Sequence, residues 1–278
     1  MFSQFLPRVR ERVADILFEC DPRLVSIFRR SFQGIDVMGR DPAGTLPPLA
    51  GLDAQISLCS VPHALGVDEE TIRSAGPFLV PNQDRAMAMA EKLRRFGERP
   101  KVGIAWRSLR DPPAYRRVHT RLDEWEPVLQ VPDVCFVNLQ YGDCEQEIAA
   151  VESRLGVAIA RPDVDLFNDL EGVLALSSQL DLVIATTTTA YTLAAACGVE
   201  TWLLMASFNY TSFGLRMDPL TPRCRGFIRE IEDAWQVPLE SIAKELRRHC
   251  GLPGVNSDRP HRPASVGASQ RQLSDKTG

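Results

Sequence analysis

Four consecutive threonines, Thr186 to Thr189, follow the apolar run DLVIA and precede TAYTLAAACG, a segment of helical composition. Hydroxyls at a strand-to-helix turn do one of two things. They cap the first free amides of the helix, or they join those amides in holding an anion. On the residues alone both readings stay open. A second candidate follows the run KVGIAW, where the loop RSLRDPPAYRR carries Arg107, Arg110, Arg116 and Arg117 beside Ser108. Forked guanidinium donors at this density suit a diphosphate, and a solvated charged loop is the alternative.

Other polar residues offer less. Asn138, Gln140 and Asp143, in VNLQYGD, end a strand and face the same rim, whereas Asn168 and Asp169, in FNDLEG, start a helix and serve equally as caps. His119 is an acid/base candidate within the Arg-rich loop. His63, His249 and His261 are too scattered to build a metal site with it. The chain contains neither G-x-G-x-x-G after a strand nor G-x-x-x-x-G-K-[ST], so the dinucleotide and P-loop readings lack their fingerprints.

The elements that must position these residues alternate. Asp15 to Phe18 reads as a strand, Pro22 to Phe32 as a helix, and Ile35 to Met38 and Gln55 to Leu58 as further short strands. Asp84 to Phe96 is a connecting helix stopped by Gly97. The segment from 101 then runs strand, Arg-rich loop, helix, strand (133 to 140), helix, strand (VAIA), helix, strand (181 to 185), helix, strand (201 to 205). Strands and helices in alternation imply parallel sheet with right-handed crossovers. The expected division is a smaller, incomplete α/β domain at 1–85, a connecting helix at 86–99, a doubly wound domain at 100–245 and a disordered tail at 246–278, rich in Gly, Pro and Ser. In such sheets ligands bind beyond the carboxyl ends of the strands, which is where both candidate loops lie.

Composition narrows the class. With 24% charged and 44% hydrophobic residues in 278, the chain is globular and large enough for a sizeable core. Its net charge of −4 gives no general electrostatic reason to bind nucleic acid, so a phosphate site must be local. Seven cysteines without a C-x-x-C pair signal neither zinc nor a disulfide framework. No run is long enough for a membrane span or a signal peptide, and the expected location is cytoplasmic.

The order VGIAWRS, FVNLQYGD, then DLFNDLEGVLALSSQLDLVIATTTTAYTLAAACGVETWLL resembles the nucleotide-sugar domain of heptosyltransferase-like glycosyltransferases, especially bacterial ones fused behind tetratricopeptide repeats. FECDPRLVSIFRRSFQGIDV and DAQISLCSVPHALG look like the later part of the same family's acceptor-side domain, and the resemblance extends over about residues 1 to 245. It implies a GT-B fold, two Rossmann-like domains facing across a cleft, with the N-terminal one incomplete. Relatives commonly show Asp-Thr-x-x-x-His at the start of a helix. Those positions are here Thr187, Thr188 and Thr192, so the Thr is kept and the Asp and His are not. Relatives also show an aromatic pair between two prolines, where this chain has Pro219, Leu220, Thr221 and Pro222. MFSQFLPRVRERV looks like the helix that follows the family's Gly-x-Gly-Asp loop, so the first strand and its base, as well as the repeats, are expected to be missing by truncation or decay.

The resemblance implies inverting, metal-independent transfer of a sugar from a nucleotide-diphosphate donor to a glycan or protein acceptor, without a cofactor. The implied donor-binding residues are Arg107, Ser108, Arg116, Arg117, Gln140, Thr187, Thr188, Thr189 and Thr192, and no catalytic residue is assigned. The competing reading is a catalytically inactive nucleotide or nucleotide-sugar binding module. An epimerase of related fold is a third.

Overall fold

The computed structural model describes residues 1–43, 51–108, 119–206, 218, 220–221, 224–230 and 233–252. A 3-10 turn and the short helix α1 (Leu6–Arg10) lead into strand β1 (Leu17–Cys20), a 3-10 turn at Pro22–Leu24, helix α2 (Val25–Ser31) and strand β2 (Asp36–Gly39). β1 and β2 pair in parallel as a two-stranded sheet. Asp21 starts the turn by accepting the Arg23 amide at 2.9 Å, which fixes where the strand ends and the helical segment begins.

Short helices α3 (Val61–Ala64) and α4 (Glu69–Arg73) follow, then α5 (Gln83–Arg94), capped by the Asn82 side chain on the Arg85 amide at 2.9 Å. The strand expected at Gln55 to Leu58 is not formed. Gln55 and Ile56 are exposed, with no neighbouring strand among the described residues to pair with, and the chain instead enters a 3-10 turn at Leu58–Ser60.

The remaining strands, β3 (Lys101–Ala105), β4 (Cys135–Asn138), β5 (Ile159–Ala160), β6 (Leu182–Ala185), β7 (Thr201–Ala206) and β8 (Cys224–Arg229), form one parallel sheet in the order β5-β4-β3-β6-β7-β8. Helices α6 (Glu126–Leu129), α7 (Glu145–Leu155), α8 (Leu170–Ser177), α9 (Thr189–Ala196) and α10 (Gln236–His249) cover it. β6 shows why the strands read as continuous apolar runs: Leu182 and Ile184 join one core cluster and Val183 and Ala185 the other, with helices on both faces. α10 extends past residue 245, so the C-terminal helix occupies the first part of the segment expected to be tail; Leu246 is fully buried and anchors it. Residues 253–278 lie outside the described residues.

The smaller sheet does not have a core of its own. Phe18, Ile27, Phe28 and Val37 belong to the same buried cluster as Leu170, Leu174 and Ala190. Polar contacts reinforce the join, because Glu171 on α8 accepts from Ser26 Oγ at 2.6 Å and pairs with Arg30. The segment after α4 closes it from the other end: the amides of Phe78 and Leu79 donate to the Ala196 carbonyl at 2.8 and 2.9 Å, filling one of the last open acceptors of α9.

Gly198 permits that approach. Its φ is +95°, and a Cβ there would stand 2.8 Å from Pro77 Cγ. Gly198→Ala is therefore expected to destabilise the protein by about 2 kcal/mol, combining left-handed backbone strain with the displacement of Pro77. Urea unfolding checks this, and a variant as stable as the parent would show that the α9 end is not held as described.

Candidate functional site

The chain passes β3, β4, β5 outward on one side, then returns to place β6 beside β3. Loops after β3 and β6 therefore diverge at a topological switch point, where open α/β sheets bind ligands. A cleft of about 710 Å³ opens there, lined by Ser108 and by Thr187, Thr188, Thr189 and Thr192. Its further walls are Tyr141 and Phe167 from the loops after β4 and β5, Leu193 and Ala196 along α9, and Met1, Ser3, Arg23, Leu24, Phe28, Phe78 and Leu79 from the N-terminal half.

The threonine run does not behave as a cap. Thr188 occupies the N-cap position of α9 with extended backbone (φ −133°, ψ 166°), yet its side chain accepts no amide of the helix. Thr188 is 7% exposed, and among the described residues its Oγ1 has no hydrogen-bond partner; the same is true of Thr186 Oγ1. Thr192 Oγ1 turns back onto the Thr188 carbonyl at 3.3 Å. A buried hydroxyl without a partner is costly, and Thr188 is also a lining residue of the cleft at the start of α9.

Two of the expected donor-binding residues have other work. Gln140 is buried away from the cleft, and its Oε1 accepts the amides of Trp106 and Arg107 at 3.0 and 2.9 Å while its Nε2 donates to the Tyr141 carbonyl at 3.0 Å. It ties the loop after β3 to the loop after β4. Arg107 pairs with Glu147 on α7 and rests 5.6 Å from the Trp106 ring centroid, so it does not reach into the cleft. Arg110, Arg116 and Arg117 lie outside the described residues, as do Pro219 and Pro222. His119 is not among the cleft residues.

The remaining candidates are structural. Asn138 Oδ1 accepts the Gln140 amide at 2.9 Å, and Asp143 offers its carbonyl to Arg107 Nη2 at 3.4 Å. Asp169 caps α8 through the Gly172 amide at 2.9 Å and pairs with Arg85 of α5; Asn168 is held by Asp165. The Arg85 guanidinium, donating to the Asp169 carboxylate, keeps that carboxyl below its ordinary value of 3.8. Since the unfolded chain then takes up a proton first, the stabilisation is present above about pH 5 and is lost as the pH falls through the ordinary carboxylate range. Glu152, held low by Arg161, acts in the same direction. Asp169→Asn should flatten the acid limb of a stability-against-pH profile measured by urea unfolding between pH 3 and 6. An unchanged limb would remove Asp169 from the acid response.

Sequence reasoning missed the other walls of the cleft. Phe28 falls at helical spacing within the helix expected at Pro22 to Phe32, and Arg23 and Phe167 stand in turns that meet because the Pro22–Leu24 turn packs on α8. Among the described residues no group of three or more His, Cys, Asp or Glu is placed to hold a metal ion, and no helix is long and apolar enough to cross a membrane.

No family model matches the chain. Over 261 residues it is 31% identical to Protein FlbA of Caulobacter vibrioides (strain ATCC 19089 / CIP 103742 / CB 15), a match covering 89% of the chain and 44% of that protein. The chain thus spans less than half the length of this curated relative. Among solved structures it is similar to the glycosyl transferase family 9 protein from Veillonella parvula DSM 2008, with a TM-score of 0.57 and 13% identity over 87% of the chain and 85% of the other. It is also similar to the E. coli ADP-heptose lps heptosyltransferase II, with a TM-score of 0.53 and 12% identity over 89% and 95%. These similarities show the fold: the chain has the α/β, GT-B-like architecture of those glycosyltransferases, with an N-terminal Rossmann-like part reduced to two described strands.

Proposed function

We propose that the cleft binds the nucleoside-diphosphate part of a nucleotide-sugar, and that the protein transfers the sugar to a glycan or protein hydroxyl with inversion and without metal. The observation that carries this reading is the buried Thr188 hydroxyl, without a partner among the described residues, at the N-terminus of α9 and the switch point of a GT-B-like sheet. Free amides at a helix N-terminus and the hydroxyls of Thr187, Thr188 and Thr189 offer an anion neutral donors in a partly desolvated site. Such donors stabilise the charge that develops on a departing diphosphate, which is the half of an inverting transfer this cleft can perform. The other half needs a base beside the acceptor hydroxyl.

A second reading is a module that binds the nucleotide without turning it over. It is favoured by Thr187 and Thr192 standing where relatives commonly carry Asp and His, and by a cleft in which no described lining residue is a carboxylate or an imidazole. Both readings place the diphosphate at α9, and only release of nucleoside diphosphate from sugar donors separates them.

Thermal and urea unfolding with UDP, ADP, GDP, CDP and dTDP test the binding step. A ligand at about 100 times its dissociation constant that binds only the folded state adds about 2.7 kcal/mol. No stabilisation by any of them at millimolar concentration would sink the assignment. Thr188→Val keeps the shape and removes the hydroxyl, so affinity should fall by roughly 0.5–1.5 kcal/mol while the unliganded protein is as stable as the parent or more so. A capping role would give the opposite pattern, a loss of stability at constant affinity.

A further inference from the structure

We infer that Arg30 clasps the N-terminal half to the larger sheet, so that the two walls of the cleft move as one body and the fold, not a ligand, sets its width. Two α/β units joined by a connector move relative to one another by default, unless the interface between them is large and apolar. Here the interface is a shared core. The rings of Phe18, Phe28, Phe32 and Phe78 follow one another with centroids 5.2, 5.7 and 6.4 Å apart, a packed row from β1 through α2 into the segment that meets the end of α9. Phe18, Phe28 and Phe32 are buried, so sliding one half past the other would expose apolar surface to water.

Polar contacts give that interface a single register. Arg23, Ser26 and Arg30 stand at intervals of three and four, on one side of the helical stretch 22–31. Arg23 Nη1 donates to the Phe167 carbonyl at 2.8 Å, Ser26 Oγ donates to Glu171 Oε2 at 2.6 Å, and Arg30 Nη2 pairs with Glu171. Phe167 and Glu171 are also four residues apart, so the spacings on the two segments match. The Arg30 and Glu171 side chains are 27% and 14% exposed, which limits screening of the pair by solvent.

Arg30 has a second contact. Its Nε donates to the Val80 carbonyl at 2.7 Å, and the Val80 amide donates to Ser31 Oγ at 2.9 Å. Val80 follows Phe78 and Leu79, whose amides hold the Ala196 carbonyl. One guanidinium therefore ties α2 to α8 directly and, through Val80, to the end of α9. Leu24 and Phe28 line the cleft on the α2 side, and Thr192, Leu193 and Ala196 line it on the α9 side. Both walls hang from the same tie. Asp169, two residues before Glu171, takes Arg85 and fastens the connecting helix α5 to the same end of α8.

Electron–electron distance measurements on the full chain test this, with spin labels carried by unnatural amino acids at the exposed positions Gln33 and Lys244, one in each half. One narrow distance is expected, moving by less than about 2 Å when UDP is added at millimolar concentration. Arg30→Met, which loses Glu171 and Val80 together, should show a second, longer distance at a population about tenfold above its level in the parent, the weight of one charged hydrogen bond. Glu171→Gln keeps an acceptor for Ser26 and removes only the charge, and should raise the same population less. A broad or two-peaked distribution in the unmodified chain would overturn the clasp. So would a larger shift with UDP, because the ligand would then set the width. Distributions in both variants as narrow as the parent's would overturn Arg30 as the tie. If UDP does not bind, the functional reading falls, and the variants still decide the clasp.

Discussion

Glu147→Ala is expected to lower the free energy of unfolding by about 3 kcal/mol, through two orphaned donors at roughly 1–3 kcal/mol each, moderated by water reaching the site. Glu147 Oε1 accepts from the indole of Trp106 at 3.2 Å and from the Leu122 amide at 2.9 Å, while Oε2 pairs with Arg107. Trp106 and Leu122 are fully buried, so neither donor finds a full substitute in solvent when the carboxylate is removed. The Glu147 side chain is 25% exposed, which admits some water and keeps the expected cost below that of a wholly buried ion pair. Glu147→Gln retains an acceptor and should cost only about 1 kcal/mol, the scale of one net hydrogen bond. Urea unfolding of both variants decides, with an unchanged dependence on denaturant confirming that the native and unfolded states keep their compactness. Equal losses in the two variants would mean that the charge on Arg107, not the two orphaned donors, is what Glu147 serves.

That arrangement also explains which parts of the site could be read in the sequence. The threonine run was legible because a buried parallel strand must end at the rim, and DLVIA leaves no doubt that its successor residues emerge there. Arg107 and Gln140 had the same positional argument, yet the fold uses both internally. Their partners, Glu147 in the first turn of α7 and the amides of Trp106 and Arg107, are fixed only by how the loop after β3 folds across to the loop after β4. Spacing cannot show this. The same holds for Phe167 and Arg23, which are 144 residues apart and meet because the Pro22–Leu24 turn packs on α8.

Among the elements, the strands buried on both faces were legible as apolar runs. β8 was not recognised, being an edge strand whose burial alternates irregularly. α10 carries Leu239, Ile242, Ala243 and Leu246 at helical spacing, a period that continues past the boundary expected at residue 245. At Gln55 to Leu58 the composition suggested a strand, but a strand needs a neighbour, and none of the described segments supplies one.

Tyr191→Phe is expected to cost roughly 2 kcal/mol, the value of a hydrogen bond to a charged acceptor within a range of about 1.5–3 kcal/mol. Tyr191 is fully buried on α9, one turn beyond Thr188, and its hydroxyl donates to Asp218 Oδ2 while standing 2.7 Å from Thr221 Oγ1. Burial pushes the phenol well above its ordinary value of 10, so it remains a donor at every working pH. Asp218 is 1% exposed and also accepts the Leu220 amide at 3.1 Å. This turn sets Leu220 into an apolar cluster with Phe5, Val61 and Ile72, and the Gln4 side-chain amide closes the contact by donating to the Leu220 carbonyl at 3.0 Å. One phenol therefore connects the helix that bears the Thr188 hydroxyl to the turn that seats the N-terminal segment. Removing the hydroxyl leaves a buried carboxylate short of a donor, and Asp218→Asn relieves that deficit by removing the charge. The two substitutions should couple, with the double variant less destabilised than the sum of the singles by 0.5 kcal/mol or more, a threshold typical of directly contacting residues. Strict additivity would show that Tyr191 and Asp218 act independently. Because Asp218 holds Leu220 against the N-terminal segment, limited proteolysis should cut Tyr191→Phe sooner within the first fifteen or so residues than elsewhere, since a loosened turn makes local opening there easier.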